Sequence, residues 1–229
     1  GGLLYNVNNR GGSSFPPERS LLHPLSGMGF TYLATGWINE LSPRDGRLRL
    51  HAPIVGSAEQ RITGQVRYEV SVGATAEKLN IAGNGHLAYE PTAAGLANAS
   101  LTRRLYQDDP RLPVERSQFQ LEVVAENDSN QPVVNLSVAG GFQPGMLYEL
   151  LYEARNPVLA GAGMAAIRDM VSAIRFGDDA ADELSQLGLS DIESTVAWGN
   201  SQSGRLLRQF MLDGFNEDLK GRKVFDGVI

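Results

Sequence analysis

Residues 196 to 215, VAWGNSQSGRLLRQFMLDGF, decide more about this chain than any other stretch, because an apolar run meets a turn of small residues and then a helical pattern. Thr195 to Trp198 read as a minimal strand, and Gly199-Asn200-Ser201-Gln202-Ser203-Gly204 as the turn. Leu206, Leu207, Phe210 and Met211 recur at helical spacing from about Gly204 to Asp213, and Gly214 supplies a left-handed stop. A serine carried between strand and helix in this way has its hydroxyl lifted above the edge of a sheet. Strand and helix in alternation are the syntax of an α/β fold with a mostly parallel sheet.

The turn offers two serines. If Ser201 is the nucleophile, the places two before and two after it fall on Gly199 and Ser203, both small enough for strand and helix to cross closely. If Ser203 is, they fall on Ser201 and Arg205, and an arginine is bulky at that crossing. Ser201 is therefore the candidate nucleophile, with Gly199, Ser203 and Gly204 supporting the turn. The bland alternative is a glycine turn followed by a helix capped by Ser203. Acyl chemistry also needs N–H donors facing the developing oxyanion. The amide of Gln202 is one candidate, and the loop Asn9-Arg10-Gly11-Gly12 offers Arg10 and Gly11 for the second. The Arg10 side chain is also open to a structural ion pair or to anchoring a carboxylate.

A serine nucleophile needs a base. The histidines are His23, His51 and His86, all before the serine and in or beside loops or the β-rich block, whereas a serine hydrolase of this strand-turn-helix kind takes its base from a histidine later in the chain. Asp226, on the last strand, is assigned no role. His86, in GNGHLAYEP, reads as a turn or surface histidine. Absence of cysteine removes thiolate chemistry, and the histidine spacing forms no compact ligand motif, so no metal is expected. Gly140, Gly141, Gly145, Gly161 and Gly163 match neither the dinucleotide fingerprint nor the Walker pattern, and no cofactor is expected. The glycines ahead of the helix at 158 to 176 are read as points of close contact. Trp37, Trp198 and Phe210 are assigned to the core.

The net charge of -6 is spread along 229 residues, with one acidic cluster at Asp178, Asp179, Asp182 and Glu183. Nothing gathers the positive charge that a phosphate backbone requires, so no nucleic-acid partner is expected. No apolar run reaches the roughly 18 residues of a spanning helix. The opening GGLLYNVNNRGG lacks an initiating methionine, and the chain is read as an internal fragment whose sheet continues at both ends.

Along the chain, LLYNV (residues 3 to 7) is an apolar strand and FTYLATGWI (30 to 38) a strand buried on both faces. ITGQVRYEVSV alternates strictly, with Ile62, Val66, Tyr68, Val70 and Val72 on its apolar side. SLTRRLYQ, QFQLEVVAE and VVNLSVAG repeat the habit between turns. Residues 158 to 176 switch to helical period, with Met164, Ile167, Met170, Val171 and Ile174 on one stripe and Pro157 in the first turn. The expected organisation is a first core segment at 1 to 46, a β-rich insertion at 47 to 139, and a second core segment with the serine turn at 140 to 229.

LLYNVNNRG, FTYLATGWINEL, ITGQVRYEV, AGNGHLAYEP, the block at 140 to 176 and WGNSQSGRLLRQFMLDGFNEDLKGRKVFDGVI resemble, segment by segment, a bacterial family of large α/β-hydrolase domain proteins. The resemblance spans nearly the whole chain. It implies a partial α/β-hydrolase fold, a serine hydrolase acting on a small-molecule ester through an acyl-enzyme, and Ser201 as the serine of the Gly-x-Ser-Gln-Ser-Gly-Arg turn. It further implies an acid and a histidine in a continuation past the VFDGV segment, and often an export signal. The alternative is a non-catalytic relative that binds a ligand or a protein, motivated by the missing base.

Overall fold

Leu3, Leu4, Tyr5 and Val7 are each at most 4% exposed, which is what a short apolar run achieves only with a neighbour strand on either side. The structure, a computed structural model, describes residues 2–7, 29–44, 46–56, 61–83, 85–125, 131–177 and 192–229. β1 (Gly2–Val7) lies between β2 (Phe30–Thr35) and β11 (Ser194–Trp198), and β12 (Gly227–Val228) pairs with the far side of β11, all in parallel. Register pairs Leu3 with Thr195 and Asn6 with Trp198. The segment 30 to 38 is a strand only to Thr35, and its side chains are half-buried rather than enclosed.

This sheet belongs to the first of two compact units, which comprises Gly1–Asn39, Arg44–His51 and Ala160–Ile229. Alternate residues of β1, Leu3, Tyr5 and Val7, share a core with Ile167, Val171 and Ile174 of α2 (Ala162–Phe176) and with Leu206, Leu207 and Phe210 of α3 (Gln202–Leu212). The Tyr5 hydroxyl bonds to Thr35, and burial pushes its pKa up to about 12. Two details of α2 depart from expectation. Met170 is 36% exposed, off the buried stripe. Pro157 stands outside the helix, which begins at Ala162 after left-handed Gly161 (φ 78°), because Val158 pairs instead with Ile54. A Cβ on Gly163 would stand 2.6 Å from the Trp37 carbonyl oxygen, so glycine here permits the close approach expected of it.

The second unit, Glu40–Pro43 and Ala52–Leu159, is antiparallel. Its larger sheet orders β3 (Thr63–Ser71), β10 (Leu147–Arg155), β6 (Ser100–Arg104) and β7 (Leu112–Val114), with β5 (Glu90–Pro91) also on β10. The smaller orders β4 (Ala76–Asn80), β9 (Val133–Phe142) and β8 (Phe119–Val124), and a short helix, α1 (Ala93–Ala97), follows β5. Both sheets feed one core, through Leu101, Tyr148, Leu150 and Tyr152 from one and Phe119, Val134, Leu136 and Phe142 from the other. Along β3 the alternation holds for Val66, Tyr68 and Val70, while Ile62 precedes the strand and is 45% exposed.

The antiparallel unit runs to Leu159, past the boundary expected at residue 139, because β10 is central to its larger sheet. The opposite face of β10 carries Glu149, which is 5% exposed and accepts from Arg111 Nε at 2.8 Å and from Arg104 Nη1 at 3.2 Å. Arg104 is buried as well and reaches Glu69.

Candidate active site

β11 is held in the sheet up to its last turn. Ile229 N–H donates to the Ala197 carbonyl at 2.9 Å, and Gly199 N–H donates to the Ile229 carbonyl at 3.1 Å. The chain then reverses at Ser201, whose backbone has φ 55° and ψ −111°. Among the described residues only Asn156 and Ser201 hold positive φ without being glycine. Such a conformation costs an L-residue about 1–3 kcal/mol and persists only where its surroundings impose it.

The surroundings here are steric and hydrogen-bonded. A Cβ on Gly199 would stand 2.7 Å from the Ser203 carbonyl carbon, and one on Gly204 would stand 3.1 Å from the Gly199 oxygen. Strand end and helix start therefore touch backbone to backbone. Ser203 N–H donates to the Asn200 carbonyl and Arg205 N–H to the Ser201 carbonyl, each at 3.1 Å, which closes the first turn of α3. Ser203 is fully buried, whereas Ser201 is exposed at the helix cap. Of the two serines, only Ser201 is exposed.

Placement along the sheet adds a second constraint. The chain passes from β1 outward to β2, returns to β11 on the other side of β1, and continues outward to β12. The order therefore reverses between β1 and β11, and the carboxyl edge beside such a reversal is where open α/β sheets bind ligands. Ser201 leaves that edge directly after β11. Ser201 thus stands beside the first N–H groups of an eleven-residue helix, whose amino end carries partial positive charge.

Of the other expected residues, Gln202 opens α3, and among the described residues its buried side-chain Oε1 has no hydrogen-bond partner, nor has the buried Ser203 Oγ. Arg10, Gly11 and the rest of the Asn9 to Gly12 loop lie outside the described residues, as do His23 and the acidic cluster from Asp178 to Glu183. His51 is exposed, and His86 is held in the antiparallel unit, bridged to Leu41. Among the described residues no histidine hydrogen-bonds to the Ser201 hydroxyl. Asp226 sits at the opposite, amino end of β11. It accepts from the Thr195 amide at 3.0 Å and pairs with Arg175 at 2.9 Å. Burial alone would raise its carboxyl, but these donors outweigh it and hold the group below the usual range.

A cavity of about 280 Å³ opens elsewhere in the parallel unit, between α2 and the turn after α3, lined by Asp169, Ser172, Asp218 and Arg222 among others. Asp218, the buried acid of the two, is already saturated. Asp218 accepts from Ser172 Oγ at 2.6 Å, from the amides of Lys220 and Arg222, and from the Arg222 guanidinium at 2.8 Å. Burial would raise it; these bonds win and hold it well below the ordinary carboxylate range. The cluster braces the turn that returns the chain to β12. Among the described residues no group of three or more acids or histidines is placed to hold a metal ion, and no helix is long and apolar enough to cross a membrane.

Residues 136–229 match the family model described as an alpha/beta hydrolase domain. The matched stretch contains β10, α2, the Ser201 turn, α3 and β12. No curated protein and no solved structure shows a significant match. Parallel and antiparallel sheets flanked by a few helices are broadly consistent with an α/β-hydrolase-like fold.

Proposed function

We propose that this chain carries the nucleophile of a serine hydrolase acting on carboxylic esters through an acyl-enzyme. The observation that carries the reading is Ser201 itself: a serine with strained positive φ, exposed between a parallel strand and a helix whose backbones touch at Gly199 and Ser203. Its hydroxyl attacks the carbonyl, a base takes the proton, and the developing oxyanion meets the Gln202 amide and a donor from the Arg10-Gly11 loop. Histidine and acid come from segments other than those described. Gly199, Ser203 and Gly204 act by leaving room for the turn, and the ester specificity rests on the resemblance and the family match.

Intact-mass measurement after exposure to a fluorophosphonate probe tests this. A single adduct on the chain, lost in Ser201→Ala, is the expected result for a protein that includes the base. Turnover of 4-nitrophenyl esters that survives Ser201→Ala overturns the reading and favours another nucleophile. Binding of esters without turnover or adduct, in the full-length protein, favours the non-catalytic relative.

A further inference from the structure

Ser201, Arg205 and Arg208 stand at i, i+4 and i+7, one stripe of α3, and all three are exposed, while Ser203, Leu206, Leu207 and Phe210 of the same helix are buried. The bond from Arg205 N–H to the Ser201 carbonyl, 3.1 Å, places those two residues one turn apart. Four residues of helix rise about 6 Å, and helical side chains as a class lean back toward the amino end, the end at which Ser201 stands.

Among the described residues the Arg205 charge has no acidic partner. The helix neighbours of Arg205 at three and four residues are Ser201, Gln202, Arg208 and Gln209, and the first turn holds no acid. Among the described residues no carboxylate meets Arg205 or Arg208, whereas Arg104, Arg155, Arg168, Arg175 and Arg222 each pair with Asp or Glu. An unpaired guanidinium beside a helix amino terminus adds two positive fields at one place.

We infer that Arg205 determines specificity by receiving a carboxylate carried on the substrate, so that the preferred ester is anionic; this rests on Ser201 as the nucleophile. The planar guanidinium offers a carboxylate two parallel N–H donors, which a lysine cannot reproduce.

The test compares mono-4-nitrophenyl adipate with 4-nitrophenyl hexanoate, acyl chains of equal length that differ in the terminal carboxylate. In Arg205→Gln the ratio of kcat/KM, acid ester over neutral ester, is expected to fall about tenfold, chiefly through KM, with part of it restored in Arg205→Lys. Raising salt narrows the ratio in the parent protein and not in Arg205→Gln. An unchanged ratio overturns the inference. Circular dichroism checks that each variant is folded. Calorimetry with monomethyl adipate on Ser201→Ala answers the question without turnover: binding about tenfold weaker in Ser201→Ala/Arg205→Gln supports it, and equal or absent binding overturns it. Should both esters go uncleaved and no adduct form, the serine reading fails while the binding arm still decides on Arg205.

Discussion

At the scale of single residues the strained serine and the buried acid make opposite predictions. Ser201 holds φ 55° with an L side chain, and glycine would hold it at no steric cost. Ser201→Gly is therefore expected to raise stability by about 1–2 kcal/mol while removing the hydroxyl, read as a higher denaturant midpoint with unchanged slope. A lower midpoint would show that the conformation is not strained. Asp218 behaves in the other sense. Its folded-state pKa lies below the unfolded value of about 4, so its contribution is complete above that value and is lost as pH falls toward the folded one. Below about pH 4 the parent protein should lose stability more steeply than Asp218→Asn, as followed by denaturant midpoints across the acid range. Parallel slopes would remove Asp218 from the acid response.

Elements explain what local pattern reveals and what it hides. Ser194–Trp198, the turn and Gln202–Leu212 are legible because each follows from neighbours: a short apolar run, small residues, then a stripe of Leu206, Leu207 and Phe210. The expectation of Ser201 over Ser203 rests on the width of Arg205 at the crossing. β10 is harder to place, since Leu147, Tyr148, Leu150, Leu151 and Tyr152 leave its period ambiguous. Its centrality depends on partners in β3, β5 and β6, and on Arg104 and Arg111 meeting Glu149 from a distance in sequence. Arg205 read alone is only a large side chain. Its interest lies in the missing acid at three and four residues, which is countable from the sequence once Ser201 is placed.

For the molecule as a whole, two hydrophobic cores belong to two units. Both tryptophans, Trp37 and Trp198, fall in the parallel one, so indole fluorescence reports that unit alone. Leu150→Ala in the antiparallel core is expected to cost about 2–5 kcal/mol there. Thermal unfolding followed by far-ultraviolet circular dichroism should shift to lower temperature, with the indole transition left in place. Transitions that move together would show that the units unfold as one.

The sequence by itself determined β1, β3, β11, the two long helices and the small residues of the turn, because these depend on side-chain size and period among near neighbours. Tertiary structure decided the rest. It set β1 beside β11, so that the reversal of strand order falls next to Ser201; it put Asp226 at the far edge of the sheet; and it drew β10 into the antiparallel unit. Each of these depends on pairing between segments far apart in the chain, where the winning partner is the one that buries the most apolar surface and leaves the fewest backbone groups unbonded, a comparison that no local stretch contains.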